Sequence, residues 1–321
     1  MKFKEFAWQG FMLEVPEEWQ LIEEGGNSLS GKLSFQTDDA SLRLEWKPIS
    51  KKKPMPIRDI TEKFTEKLRK KAKRNVKIRK GSINIQEHKA ASVQFRTNVE
   101  GQGFFWYCKP TNRFFMIEFL TRKEAKIPKH VIEHVVKSFT CHGLKGRTWS
   151  ILGFSFETPK SFELETRKFV VGKGILLFQE KRRNPLTETR TSVLFEYFSM
   201  ANVQFEDTYM EPHRWFDDYY VDGLKKRFGK PKLEEHSDLQ IKGHSVKVIK
   251  GTASSGWTWR KKVGFIIAFW YCPGSNRIYV MMVSDEITRP IFLRRRLEED
   301  DLKQCFQDVV ETIQCHGSSA D

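Results

Sequence analysis

Residues 105–113 read Phe-Trp-Tyr-Cys-Lys-Pro-Thr-Asn-Arg, and residues 269–277 read Phe-Trp-Tyr-Cys-Pro-Gly-Ser-Asn-Arg. The aromatic run, the cysteine and the Asn-Arg pair keep the same spacing in both copies. Each copy predicts a β-strand that runs into a tight turn, because Pro, Gly and Asn are typical turn residues. A match this close indicates an internal repeat.

The similarity extends over the whole chain of 321 residues, a length that suits two domains of ordinary size. Near the start of each copy, a proline is followed by an aromatic residue and a leucine at the same offsets. These residues are Pro16, Trp19 and Leu21 in the first copy and Pro159, Phe162 and Leu164 in the second. Both copies end in Cys-His-Gly, at residues 141–143 and 315–317. The sequence therefore predicts two related domains, residues 1–146 and residues 147–321.

The order of elements predicted for each copy is strands, a helix, antiparallel strands and a closing helix. Helical spacing of apolar residues after Pro56 and Pro212 predicts the first helix of each copy. Short hairpin connections favour antiparallel pairing, and the apolar run 114–120 favours helical cover on both faces of the sheet. We expect an α+β fold of two repeated, mostly antiparallel sheets covered by helices and related by a pseudo-twofold axis. A longer hairpin loop is expected at residues 181–191 of the second copy alone.

Each copy resembles the PsbP/Mog1/DcrB-like family. The motifs that carry the resemblance are Val15-Pro16-Glu17-Glu18-Trp19 and Lys137-Ser138-Phe139, and the second copy departs from the latter with Glu311-Thr312-Ile313. The resemblance implies a tandem pair of α/β/α sandwiches. It also implies a non-enzymatic role, because members of that family serve photosystem assembly, small-GTPase regulation and envelope functions, mostly as binding or accessory proteins. Fold alone does not fix function, so no specific role is carried over.

Cysteine and histidine recur at matched positions in the two copies. The matched residues are His88, Cys108, Cys141 and His142 in the first copy and His244, Cys272, Cys315 and His316 in the second. The predicted strand directions bring the four residues of each copy to one end of its sheet. Two cysteines and two histidines form a complete ligand set for tetrahedral zinc, although no short Cys-x-x-Cys pair is present. The sequence therefore indicates a candidate zinc site in each copy.

Two other interpretations of these residues remain open at this stage. A disulfide would join Cys108 to Cys141 and Cys272 to Cys315, although a reducing cytosol disfavours it. Buried free thiols with turn histidines would be ordinary packing, since cysteine is often a core residue. Cys305 has no counterpart in the first copy, where Val131 occupies its place, and we interpret it as a small core hydrophobe.

The net charge of +15 is concentrated in the first copy. Residues 1–146 hold 29 Lys and Arg against 17 Asp and Glu, a net +12, whereas residues 147–321 carry only +3. On the predicted helix 57–74, the basic residues opposite the apolar stripe are Lys63, Lys67, Lys70, Lys71 and Arg74. This surface could bind RNA or another polyanion. A solvated helix face is the favoured explanation, because charged faces opposite apolar stripes are common and no nucleic-acid motif or interleaved aromatic series is present.

Sequence motifs of common enzyme classes are absent, including the nucleophile elbow, the phosphate-binding loop, the dinucleotide fingerprint and the His-Glu-x-x-His zinc motif. The first ten residues do not resemble a signal peptide, and no apolar window approaches the ~18 residues of a membrane span. We therefore expect a cytoplasmic, non-enzymatic binding or accessory protein with an unknown protein partner. The alternative is an RNA- or polyanion-binding protein that uses the basic first copy.

Overall fold

The structure, a computed structural model, describes residues 1–50, 54–72, 76–97, 99–122, 125–143, 146–204, 212–234, 237–256, 258–293 and 299–315. The chain divides into two compact units, Met1–Ser150 (unit one) and Ile151–Asp321 (unit two). The strands of unit one are β1 (Phe3–Trp8), β2 (Phe11–Pro16), β3 (Gln20–Gly26), β4 (Gly31–Gln36), β5 (Ala40–Pro48), β6 (Lys77–Ile85), β7 (His88–Arg96), β8 (Val99–Cys108) and β9 (Arg113–Arg122). Its helices are α1 (Ile57–Lys71) and α2 (Lys129–Ser138).

The main sheet of unit one has seven strands in the order β3-β4-β5-β9-β8-β7-β6. All its neighbouring strands are antiparallel. Side chains alternate between the faces of a strand, so the adjacent aromatic residues of β8 serve different faces. Phe105 lies 5.0 Å from the ring of Phe64 on α1, whereas Trp106 lies 5.0 Å from the ring of Phe139, just after α2. Helix α1 and the segment that follows α2 therefore lie on opposite faces of the sheet.

Helix α1 begins directly after Pro56, whose φ of −51° is already close to the helical value. It ends at Lys71, because Ala72 is extended, and so it is shorter than the predicted helix 57–74. The hydroxyls of Thr61 and Thr65 are accommodated on the buried side, since each donates a hydrogen bond to a carbonyl three residues earlier.

Unit two begins within β10 (Arg147–Ile151). Its further strands are β11 (Phe154–Thr158), β12 (Glu163–Val170), β13 (Lys173–Asn184), β14 (Thr187–Ser199), β15 (Lys232–Leu233), β16 (Ser237–Ile241), β17 (His244–Ser255), β18 (Trp259–Cys272) and β19 (Arg277–Pro290). Its helices are α3 (Ala201–Gln204), α4 (Pro212–Trp215), a π-helical segment (Phe216–Tyr220), α5 (Val221–Phe228), a short 3-10 turn (Pro273–Ser275) and α6 (Glu299–Val310). The main sheet runs β12-β13-β14-β19-β18-β17-β15, and β16 also pairs with β17.

Residues 181–191 form a regular β-hairpin, not the longer loop that the sequence predicted. Strands β13 and β14 stay paired up to Asn184 and Thr187, which face each other across a two-residue turn. The side chain of Asn184 closes this turn by accepting hydrogen bonds from the backbone N–H groups of Leu186 and Thr187. The additional residues of unit two therefore lengthen two strands, because their backbone groups pair with each other instead of with solvent.

The α+β class and the antiparallel pairing predicted from the sequence are confirmed. Both copies of the Asn-Arg motif place their asparagine in the left-handed region, with φ of 52° at Asn112 and 48° at Asn276. Asparagine tolerates this conformation better than most residues, which explains its position in both turns. None of the helices in the described ranges is both long and apolar enough to cross a bilayer.

Candidate metal centre

Strand register brings His88 and Cys108 of unit one together. The turn between β6 and β7 has Ile85 paired with His88, so His88 opens β7. Strands β7 and β8 pair Ala91 with Phe105, and extension of that register by three residues places Cys108 opposite His88. The chain then returns along β9 and α2, and Cys141 and His142 follow the end of that helix.

The four side chains predicted as ligands in unit one converge on one point. Their ligand atoms, one from each of His88, Cys108, Cys141 and His142, all lie within 4.8 Å of one another. His88 Nε2 is 3.2 Å from Cys141 Sγ and 3.3 Å from His142 Nδ1. His142 Nδ1 is 3.5 Å from Cys108 Sγ and 3.3 Å from Cys141 Sγ. The set therefore joins three segments that are distant in sequence.

These separations match the edges of a zinc tetrahedron. With bonds of about 2.3 Å to sulfur and about 2.0 Å to nitrogen, tetrahedral geometry places two nitrogens about 3.3 Å apart and nitrogen about 3.5 Å from sulfur. The nitrogen pair measures 3.3 Å, and the three nitrogen–sulfur distances lie between 3.2 and 3.5 Å. The side chains would need only small movements to bind a zinc ion at their centre.

Hydrogen bonding alone does not account for the crowding around His142. Its Nδ1 atom has three close neighbours, on His88, Cys108 and Cys141. A ring nitrogen carries either one hydrogen or one lone pair, so it makes one good hydrogen bond in the plane of the ring. A cation at the centre of the four atoms would satisfy all of them together, as in closed Cys₂His₂ sites.

A second layer of side chains, from the β6–β7 turn, orients these residues. Glu87 Oε1 lies 2.9 Å from His142 Nε2, so an Nε2–H that donates to this carboxylate leaves the Nδ1 lone pair aimed at the cluster. Gln86 Oε1 accepts hydrogen bonds from the Cys141 backbone N–H and thiol, and its Nε2 donates to the His142 carbonyl. Sequence reasoning missed the roles of Gln86 and Glu87, although both directly precede His88.

The two thiols of unit one are fully buried. The interaction with Cys141 lowers the pKa of Cys108, hydrogen bonds with Thr111 and the electrostatic effect of the nearby His88 act in the same direction, and burial opposes them. The same interaction raises the pKa of Cys141, and burial raises it further. The pair thus favours one thiolate and one thiol, and a thiolate is the form of cysteine that ligates metals.

Three of the four predicted residues of unit two are also brought together. The ligand atoms of His244, Cys272 and Cys315 lie within 4.8 Å of one another, with His244 Nε2 3.1 Å from Cys315 Sγ. A hydrogen bond with Cys272 raises the pKa of Cys315. The fourth predicted residue, His316, lies outside the described residues. Lys242 and Gly243 occupy the turn positions that Gln86 and Glu87 hold in unit one, so the second centre lacks that carboxylate.

The disulfide interpretation is not supported, since all five cysteines are free thiols. Cys305 lies on α6, belongs to neither set of grouped ligand atoms, and is partly buried. The predicted polyanion-binding residues Lys63, Lys67, Lys70 and Lys71 are exposed along α1, as a solvated helix face would be. Arg74, the fifth of them, lies outside the described residues.

Comparison with known proteins finds similarity among solved structures, including three distant matches. No model of a known protein family matches the chain, and no curated protein sequence matches it. The chain is similar to the solution structure of cyanobacterial PsbP from Synechocystis, with 11% identity and a TM-score of 0.36, over 44% of this chain and 92% of that one. It is also similar to TplEi, a T6SS immunity protein of Pseudomonas aeruginosa. The apo structure gives 10% identity and a TM-score of 0.31 over 99% of each chain. The structure of TplEi in complex with "L" peptide gives 9% identity and a TM-score of 0.33, over 98% of this chain and 99% of that one.

Proposed function

We propose that this chain is a non-enzymatic binding or accessory protein for a protein partner, and that a structural zinc ion holds its first unit together. The observation that carries the proposed zinc ion is the convergence of two thiols and two imidazoles with the spacings of a zinc tetrahedron. Four protein ligands close the coordination sphere, which is typical of structural sites and leaves no position for a substrate. The ion would cross-link the β6–β7 turn, the end of β8 and the segment after α2.

The choice of zinc follows from the donor atoms. Thiolate and imidazole ligands in a tetrahedral set favour zinc over magnesium or calcium, which take oxygen ligands. Redox-inactive zinc also suits a role in stability, because structural zinc contributes directly to folding free energy. The five free thiols fit a reducing compartment such as the cytoplasm, which we propose as the location.

We further propose that the chain arose by tandem duplication. The matched sequence motifs support this origin, and so do the central strand orders β4-β5-β9-β8-β7 and β13-β14-β19-β18-β17, in which each strand of one sheet has a counterpart at the same place in the other. On this view, His244, Cys272 and Cys315 would hold a second zinc ion, with His316 as its fourth ligand. Gly243 stands at the position of Glu87 and offers no carboxylate, so the second site should bind zinc more weakly than the first.

The test is to measure the zinc content of the purified full-length chain by elemental analysis after dialysis against metal-free buffer. We expect at least one zinc ion per chain and a loss of one equivalent in Cys108→Ser. Cys305→Ser removes a thiol outside both sets and is the matched control that should keep its zinc. Wild-type protein without zinc would contradict the proposal, and so would a zinc-containing wild type whose metal content is unchanged in Cys108→Ser.

A further inference from the structure

We propose that a basic cleft in unit one, lined by Lys77, Arg79, Arg96 and Lys126, binds a small organic phosphate. This inference goes beyond the proposed role in binding a protein partner, because it assigns the chain a small-molecule ligand. It does not depend on the metal, because none of the four predicted zinc ligands lines the cleft. Failure of the zinc experiment would therefore leave it standing, and the reverse also holds.

The cleft lies at the β6 edge of the main sheet, beside the segment that leads into α2. Its volume is about 480 Å³, which is in the range of small-molecule sites. Cationic and amide side chains of β6, β7 and β8 form one side, including Gln94 and Gln102. Apolar side chains complete the lining, among them Phe119, Ile127 and Ile132. The cleft thus combines positive charge with an apolar surface.

The cations are arranged against the usual rules of sheet stability. Lys77 and Arg96 face each other directly across β6 and β7, and Arg79 is one pleat further along the same face. Like charges at opposed positions are destabilising. Such local conflicts are expected where a site has a function, and a bound anion would relieve this one.

Among the described residues, few acidic groups compensate this charge. Glu100 is the one carboxylate that they contribute to the lining, and it pairs with Arg96. In the part of the chain that the structure describes, no ion pair involves Lys77, Arg79 or Lys126. Four cations against one carboxylate leave a net charge of about +3 in the lining, which suits a ligand with two or three negative charges.

Phosphate is the anion that fits these donors best. The guanidinium groups of Arg79 and Arg96 present planar pairs of N–H donors that match phosphate oxygens, and lysine adds a point charge. The apolar side formed by Phe119, Ile127 and Ile132 would contact a carbon body attached to the phosphate. A compact cleft favours a small molecule over RNA, because single-stranded RNA requires an extended basic track with aromatic platforms.

Unit two contains an internal comparison. A cleft of about 610 Å³ lies there between β16 and α6, lined by Lys242, Lys250 and Lys303 but also by Asp238 and Glu311. Its remaining lining is largely apolar, including Ile266, Phe306 and Val310. The two clefts occupy similar positions in their units, but the charged side chains that line the cleft of unit two nearly balance one another. The cleft of unit two therefore supplies matched control substitutions.

The experiment is isothermal titration of the full-length protein with ADP, with inorganic pyrophosphate and with a short single-stranded RNA as further probes. We expect ADP to bind at one site per chain, more tightly than pyrophosphate, and more weakly as salt rises. The double substitution Arg79→Gln/Lys126→Gln should weaken ADP binding by about tenfold or more, since it removes two charge-assisted contacts. The control Lys250→Gln/Lys303→Gln removes the same charge and should change the affinity by less than about twofold.

Each alternative outcome would contradict a different part of the proposal. Equal weakening by both double substitutions would mean that general charge attraction, and not the cleft, binds ADP. Tight RNA binding without ADP binding would replace the small phosphate by a nucleic acid. Absence of binding to both ADP and pyrophosphate at low salt, in protein whose thermal unfolding is normal, would overturn the proposal.

Discussion

The guanidinium group of Arg113 donates hydrogen bonds to backbone carbonyls from three separate segments of unit one. The acceptors are Gln9 at 2.8 Å, Gly10 at 3.1 Å, Ser28 at 3.3 Å and Cys141 at 3.4 Å. The residue is 4% exposed, and burial lowers its pKa. The guanidinium carbon of Arg113 lies 4.9 Å from the centroid of the Phe115 ring. One buried arginine therefore ties the β1–β2 turn to the segment that carries two proposed zinc ligands.

Arg113→Met should destabilise the protein by about 3 kcal/mol or more, because it leaves several buried carbonyl groups without a donor. Urea unfolding followed by circular dichroism measures the change. Arg122, exposed at the other end of β9, is the matched control, and Arg122→Met should change stability by less than about 0.5 kcal/mol. Similar losses in the two variants would show that Arg113 has no special role.

At the scale of the element, α1 has two faces with different tasks. Phe64 packs between Phe95 and Phe105 of the sheet, with ring centroids 5.8 and 5.0 Å away. The lysines of the opposite face are exposed to solvent. The packed face holds the helix on the sheet, and the basic face remains the alternative surface for a polyanion.

Phe64→Ala should cost about 3 kcal/mol of unfolding free energy, since large-to-small changes remove packing and leave a cavity. Reversal of Lys67, Lys70 and Lys71 to Glu should cost about 1 kcal/mol or less in total, mainly through the helix dipole. Chemical denaturation measures the free energy of unfolding of both variants. The same reversal should leave ADP affinity almost unchanged, because none of these lysines lines the basic cleft. A strong loss of ADP binding would instead assign the anion site to α1.

At the scale of the whole molecule, zinc should couple distant parts of unit one. The proposed ligands span residues 88 to 142, so one ion closes a loop that would otherwise be free in the unfolded chain. A ligand that binds only the folded state stabilises it by about 4 kcal/mol when its free concentration is a thousand times its Kd. For units of this size, about 4 kcal/mol corresponds to a shift in Tm of about 10 °C.

Removal of zinc with a chelator should therefore lower the Tm of the wild-type chain by about 10 °C, in the transition that belongs to unit one. Differential scanning calorimetry measures this shift. In the transition of unit one, Cys108→Ser should already unfold at the lower temperature and respond little to chelator, whereas Cys305→Ser should behave as wild type. If chelator changed the Tm of all three proteins by the same amount, the proposed zinc site of unit one would not contribute to stability.

The amino-acid sequence by itself determined the antiparallel α+β class and the chain reversals that carry the Cys/His residues. These features depend on local information: turn residues, alternation of side chains along a strand, and the direction in which each strand must run. His88 and Cys108 were predicted to lie at one end of the sheet because each hairpin reverses the chain. The starts of α1 and α2 were also predictable, since Pro56 and Pro128 directly precede them.

Only the tertiary structure decided the ligand distances, the roles of Glu87 and Arg113, and the charge arrangement of the basic cleft. These features depend on strand register and on contacts between residues that are distant in sequence. Lys77 and Arg96 are 19 positions apart in the chain, yet the pairing of β6 with β7 makes them direct neighbours. The hairpin at residues 181–191 illustrates the same limit. Whether its residues form a loop or longer strands depends on hydrogen bonds across the pair, which no local pattern specifies.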